Sequence, residues 1–229
     1  MSNGEWIIPY KAWAPSMATE VNFLYRYQNI YVSDNHRVAL WCFFKHLNLD
    51  KKYQYLHIDA HYDALGGATR DFERLNVDLR KISIQEFLTL PTSAGKPNLI
   101  RWDNYHPILF EAFDILSEKY FLTQKKGRPY PDLKEIELDQ LPSTVSHLKK
   151  DLHFLNLDLD YFWQRVSDTK FEMANDPEKN LALLKTLSPE VVVCAVSPEC
   201  CGGKINALKT LEIFSDIYQL PQEFFNTFK

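Results

Sequence analysis

The stretch Leu56-His57-Ile58-Asp59-Ala60-His61-Tyr62-Asp63 (LHIDAHYD) runs from an apolar, strand-like segment straight into two carboxylates and a histidine at alternate positions. A buried charge without a partner costs several kcal/mol or neutralises itself, so Asp59, His61 and Asp63 need a reason to be there. Three other apolar runs end in the same manner. NIYV (Asn29 to Val32) leads into Ser33-Asp34-Asn35-His36, HFLNL (His153 to Leu157) into Asp158-Leu159-Asp160, and VVVCAV (Val191 to Val196) into Ser197-Pro198-Glu199. The fourth run, YQYLHI (Tyr53 to Ile58), is the one that opens the quoted stretch.

Short apolar runs of this kind alternate with longer helical patterns, which predicts an α/β chain. RVALWCFFKHLN is apolar nearly all round, so it is expected to be buried, with Asp34 or Asn35 placed to cap it. A second helix is expected from Pro107 through PILFEAFDILSEKYFL, with proline in the first turn. A third follows Asp176-Pro177 through EKNLALLKTL, and a fourth is INALKTLEIFSDIY, with Ile205, Leu208, Leu211 and Ile213 on one face. TQKKGRPYPDLK and LPTSAGKPN read as loops. The terminal LPQEFFNTFK is compatible with packing on its own domain or on a neighbour. In a parallel sheet the carboxyl ends of the strands share one edge, where ligands bind. The four polar motifs are therefore expected to meet.

At 229 residues and 45% hydrophobic content, one domain over residues 1–229 is the expectation. The net charge of −4, with both signs interleaved, offers no basic stripe for a phosphate backbone, so nucleic acid is not an expected partner. No apolar run has the length of a membrane span, and the start, MSNGEWIIPYK, lacks the features of a secretory signal, so a soluble, cytoplasmic protein without a membrane partner is expected. Cys42, Cys194, Cys200 and Cys201 show no framework spacing, which suits a reducing compartment.

Gathered at one edge, Asp59, Asp63, Asp158, Asp160 and Glu199 would repel, since two carboxylates 4 Å apart at an effective dielectric near 20 cost about 4 kcal/mol. The motifs hold no cluster of Lys or Arg to offset this. Either protons or cations must, and with His36 and His61 the donors suffice for two divalent ions. An oxygen-rich set with two imidazoles and no thiolate suits Mn²⁺ or a similar borderline-hard ion. A pair of such ions can present hydroxide to an electrophilic carbon, which points to metal-assisted hydrolysis.

Asp59-Ala60-His61-Tyr62-Asp63 resembles the Asp-Ala-His-x-Asp motif of the arginase and agmatinase group of ureohydrolases, and Asp158-Leu159-Asp160 is similar to their second Asp-x-Asp. The resemblance implies a three-layer α/β/α fold with a mainly parallel central sheet and two Mn²⁺ ions. One ion would be held by His36, Asp59, Asp63 and Asp158, the other by His61, Asp160 and the shared Asp59 and Asp158. Glu199 resembles the glutamate that grips the substrate guanidinium, a match carboxylates make with paired hydrogen bonds. Asp63 would also carry a proton to the departing amine. The chain departs from the family where arginases show Gly-Gly-Asp-His before the lone histidine, in lacking their Asp-Pro downstream of the second Asp-x-Asp, and in lacking the relay histidine about a dozen residues after the Asp59–Asp63 motif, where it reads GGATRDFERLN; His106, in RWDNYHPI, is the candidate substitute.

The order DNH, DAHYD, NLDLDYF, SPECCGG in a short chain looks most like a divergent branch that includes the peptide arginases, which convert arginine side chains of ribosomally made precursor peptides to ornithine. An arginine-containing precursor peptide is then the expected partner. A small-molecule ureohydrolase, a single-zinc deacetylase-like amidohydrolase and a non-catalytic, metal-stabilised peptide-binding module are the alternatives. Asp34 is open to a supporting role behind a ligand histidine or to helix capping, and His57 reads as a core residue. Cys200-Cys201 has no histidine beside it in sequence to make it a nucleophile.

Overall fold

A computed structural model describes residues 4–148 and 153–228. Its central element is one eight-stranded sheet, built from β1 (Glu5–Ile8), β2 (Leu24–Tyr27), β3 (Ile30–Ser33), β4 (Tyr53–His61), β5 (Leu116–Lys126), β6 (Lys134–Glu135), β7 (His153–Asp158) and β10 (Val191–Ala195), in the order β1-β2-β3-β10-β7-β4-β5-β6. From β3 to β6 every neighbouring pair is parallel, while β1 and β2 complete one edge in antiparallel fashion. A separate ribbon of β8 (Trp163–Arg165) and β9 (Phe171–Met173) lies outside the sheet.

The central strands are near-continuous buried runs rich in β-branched and aromatic residues, as strands covered on both faces should be. Alternation along β4 sends Tyr53 and Tyr55 to one apolar layer and Leu56 and Ile58 to the other. Helices α1 (Ala39–Phe44), α2 (Thr69–Leu75), α3 (Ile84–Leu88) and α4 (Tyr105–Glu111) supply the first layer, with Phe43, Phe72, Phe87 and Ile108. Helices α5 (Leu141–Leu148), α6 (Pro177–Lys185), α7 (Lys204–Tyr218) and α8 (Gln222–Asn226) supply the second, with Val145, Leu184, Phe214 and Phe224. The result is a three-layer α/β/α architecture. Among the described residues no helix is long and apolar enough to cross a membrane.

The four expected strands are β3, β4, β7 and β10, and they are consecutive neighbours in the parallel part of the sheet. Asp176 caps α6 by accepting from the Lys179 backbone, and Pro177 sits in its first turn. Other expectations are corrected. The run from Pro107 is not one helix, because α4 stops at Glu111 and Leu116 onward is β5, paired along most of β4. That strand also takes the start of the expected loop TQKKGRPYPDLK. In α7 the buried face is Ala207, Leu211, Phe214 and Tyr218, whereas Ile205 is 75% exposed. The C-terminal aromatics pack on their own chain, where Phe224 and Phe228 meet Trp6, and Phe228 also meets Phe23.

Chain direction after β4 and β7 positions the site. From β4 the chain crosses the first helical layer to β5 on one side, and from β7 it crosses the second layer, through α6, to β10 on the other. Neighbouring parallel strands whose continuations diverge leave a crevice beyond their carboxyl ends. Asp59 and His61 close β4, and Asp158 closes β7.

Candidate metal centre

Asp59 sits at the middle of the cluster. Its Oδ1 accepts from the His61 backbone amide at 2.6 Å and stands 3.3 Å from His61 Nδ1, while its Oδ2 stands 3.2 Å from His36 Nδ1. A register shift between Asp59 and His61 in the β4–β5 pairing marks a bulge, the device by which a strand re-aims a side chain at its rim. Asp63 follows with a left-handed backbone, φ 47°, tolerable for aspartate, and its Oδ2 turns back to 3.1 Å from His36 Nδ1. Asp158 Oδ2 lies 3.7 Å from the same nitrogen, and Asp160 Oδ2 lies 3.0 Å from His61 Nδ1.

The backbone orients these carboxylates by occupying their other lone pairs. Asp158 Oδ1 accepts from the Asp160 amide at 2.9 Å, Asp160 Oδ1 from the Ala60 amide at 3.0 Å, and Ser197 Oγ donates to Asp158 Oδ2 at 2.5 Å. His36 Nε2 is 3.3 Å from the Leu157 carbonyl, which holds a proton on that nitrogen and turns Nδ1 to the acids. A ligand histidine is commonly oriented in this way.

Two buried oxygens, Asp59 Oδ2 and Asp160 Oδ2, accept no well-directed hydrogen bond although imidazole nitrogens lie close by. Nitrogen and oxygen atoms that converge at about 3 Å without aligning as donor and acceptor are placed as neighbours around a common ion with bonds of roughly 2.1 Å. The donor groups divide in two: His36, Asp59 and Asp158 form one, and His61, Asp160 and Cys200 the other, each with ligand atoms within 4.8 Å of one another. The residues present fit two divalent cations.

The electrostatics agree. Burial works against an imidazolium at His36, yet the adjacent carboxylates of Asp59 and Asp63 prevail and hold its pKa well above the ordinary value. His61 is pushed up to about 11, because Asp160 and Asp59 outweigh its burial. Burial pushes Asp63 up to about 7, with the Asp59 charge adding to it. Burial and neighbouring carboxylates raise Asp158 and Asp160 as well. Asp59 alone among these acids is held low, since the close imidazoles of His36 and His61 overcome its burial. A cluster that must otherwise gather protons on both acids and bases is one that divalent charge would relieve.

The site opens into a cleft of roughly 200 Å³. Glu199 lines it, with Oε1 fixed by the Ser16 backbone amide at 2.8 Å. Trp102, Asp103 and Cys200 line the cleft together with His36, His61 and Asp63. Sequence reasoning did not mark Ser16, Trp102 or Asp103. None of them closes a strand, so no edge argument finds them, whereas Ser197 belongs to the motif that ends in Glu199 and Cys200 follows it directly.

The structure places three other candidates elsewhere. His106 is fully buried, with Nε2 bonded to the Tyr55 hydroxyl at 2.7 Å and Nδ1 to the Tyr62 carbonyl at 2.8 Å, so it cannot reach the cleft to relay protons. His57 is a core residue, pairing with the His61 carbonyl and with Asn156 Nδ2. Asp34 neither caps the helix nor touches His36. It accepts from Asn22 N and Ser16 Oγ and so fastens the N-terminal segment, while Asn35 accepts from the Arg37 amide as cap of the short His36–Val38 turn that leads into α1.

No protein-family profile and no curated protein sequence matches the chain. Among solved structures it is similar to proclavaminate amidino hydrolase from Streptomyces clavuligerus, at 14% identity and a TM-score of 0.46, over 83% of this chain. The chain spans 62% of that protein's length.

Proposed function

We propose that this protein is a binuclear metallohydrolase that cleaves the guanidinium group of arginine side chains within a peptide, giving ornithine and urea. The observation that carries the reading is the convergence of His36, Asp59, Asp63, Asp158, His61 and Asp160 into one cluster, of which His36, His61, Asp63 and Asp158 line a cleft together with Glu199. His36, Asp59, Asp63 and Asp158 would hold one cation, and His61 and Asp160 the other, with Asp59 and Asp158 shared. Mn²⁺ suits this mostly oxygen and imidazole set. Bound there, the two ions would offset the carboxylate charge and lower the pKa of the water that hydrolysis consumes.

The chain's own groups do the rest. Glu199, with one oxygen anchored by Ser16, presents a carboxylate to the planar guanidinium and sets its carbon over the cluster. Trp102 offers an aromatic wall to the same cation. The C–N bond to the side chain breaks as water adds, and the Asp63 carboxylate passes a proton to the leaving nitrogen, so that R–NH–C(NH₂)₂⁺ and H₂O become R–NH₃⁺ and urea. A second depression shares His61, Asp63 and Asp103 and continues over Ala64, Leu65 and Gly66 to Lys126 and Arg128. That open mouth is what supports a substrate longer than a free amino acid.

The test is incubation of the Mn²⁺-loaded protein with arginine-containing peptides. Each modified residue should lose about 42 Da by mass spectrometry, the difference between urea and water. Turnover of free arginine alone would shift the assignment to a small-molecule ureohydrolase, with Lys126 and Arg128 reading the substrate carboxylate. No urea from either substrate would end the reading.

A further inference from the structure

The two groups of converging donors are chemically unequal. His36, Asp59 and Asp158 offer only nitrogen and oxygen, whereas the second group pairs His61 and Asp160 with the sulfur of Cys200, all within 4.8 Å of one another. Asp160 Oδ2 in that group is buried and accepts no well-directed hydrogen bond, an oxygen awaiting a partner on the side where the thiol stands.

The thiol is held there by the backbone. After β10 the chain turns at Ser197, with φ 44°, and the amides of Cys200 and Cys201 both return to the Ser197 carbonyl, at 3.0 and 3.1 Å. Gly203 closes the same turn on the Pro198 carbonyl at 2.7 Å. This short knot aims the two adjacent cysteines apart. Cys201 is buried and its sulfur meets the Val196 carbonyl, whereas Cys200 lines the cleft beside Glu199.

We propose that Cys200 is a thiolate ligand of the second cation, so that the centre has one all-nitrogen-and-oxygen position and one position that includes sulfur. This rests on the binuclear reading above and refines it. Soft sulfur strengthens the preference for ions such as Co²⁺, Fe²⁺ or Zn²⁺ over Mn²⁺, so the second position should discriminate among metals more sharply than the first. Because Cys200 adjoins Glu199 in the chain, ligation would also tether the guanidinium-facing carboxylate to the cluster.

The experiment titrates metal-stripped protein with Co²⁺ alone, followed by metal analysis and near-ultraviolet absorption. The wild type should take two ions per chain and show a sulfur-to-cobalt charge-transfer band that grows with only one of them. Cys200→Ser should abolish the band and weaken one of the two ions by at least about tenfold, the loss that even a supporting group produces. Cys201→Ser should keep both the band and the stoichiometry, and circular dichroism of each variant checks folding. Two bound ions without any band would overturn the ligand role of Cys200 and leave the binuclear centre standing. A band that survives in Cys200→Ser would also overturn it, and no cobalt binding at all would remove both readings.

Discussion

Asp59 is the residue through which the two halves of the centre communicate, since one oxygen faces His36 and the other His61. Glu199 stands outside that core. It faces the cleft, and its anchor is the Ser16 amide rather than either histidine. The two roles separate in mutants. Glu199→Gln keeps the shape and the bond from Ser16 but loses the charge that pairs with a guanidinium. Losing a charge-assisted hydrogen-bonded pair costs about 2–3 kcal/mol, on the order of a hundredfold in turnover efficiency. Steady-state kinetics on an arginyl peptide should show that loss while metal analysis still finds two ions per chain. Loss of an ion in this variant would instead make Glu199 part of the metal site. Asp160→Ala should do the reverse, releasing one ion together with activity. The proposed ligands were legible in the sequence because each lies at or just beyond the end of a short apolar run bounded by polar residues, which reads as a buried strand. Cys200 was not, because nothing in SPECCGG tells which of two adjacent sulfurs faces the cleft.

At the level of the elements, the expected helix from Pro107 was half wrong for a physical reason. PILFEAFDILSEKYFL has no glycine or internal proline to break it, and a short apolar run carries no decisive period. The long pairing of β5 along β4 decides the matter, placing Phe121 in one apolar layer and Tyr120 and Leu122 in the other. That arrangement leaves α4 short and seats His106 under the centre, between Tyr55 of β4 and the Tyr62 carbonyl. Burial, aided by neighbouring His57, depresses the pKa of His106 well below the ordinary value. The sign follows directly. Above pH ~6.5 neither folded nor unfolded chain protonates this group, whereas below it the unfolded chain gains a proton that the folded one refuses, so stability drops as the pH is lowered. His106→Gln keeps an amide in place of the imidazole and removes the titration. Between pH 6 and 5 its urea-unfolding free energy should fall less steeply than the wild type's, by up to about 1.4 kcal/mol per pH unit. Parallel pH profiles for the two proteins would show that His106 titrates alike in both states.

Over the whole molecule, the centre gathers side chains that follow β3, β4 and β7, elements separated by more than a hundred residues of chain from first to last. An unfolded chain has no such site, so any cation that binds here binds the native state alone and its binding energy becomes folding energy. Each ion at a hundred times its dissociation constant adds about 2.7 kcal/mol. For a chain of 229 residues, where 1 kcal/mol moves Tm by roughly 2–4 °C, two ions should raise it by on the order of 10 °C. Calorimetry of the metal-stripped protein with and without saturating Mn²⁺ measures this shift. Glu199→Gln should show the full rise, since its carboxylate lines the cleft and is anchored by Ser16 outside the proposed metal positions, and Asp160→Asn should show a reduced one, since one proposed position is crippled. A Tm indifferent to Mn²⁺, or a rise equal in both variants, would mean that protons rather than cations settle the charge of these carboxylates, and that the meeting of the four strand ends serves something other than metal chemistry.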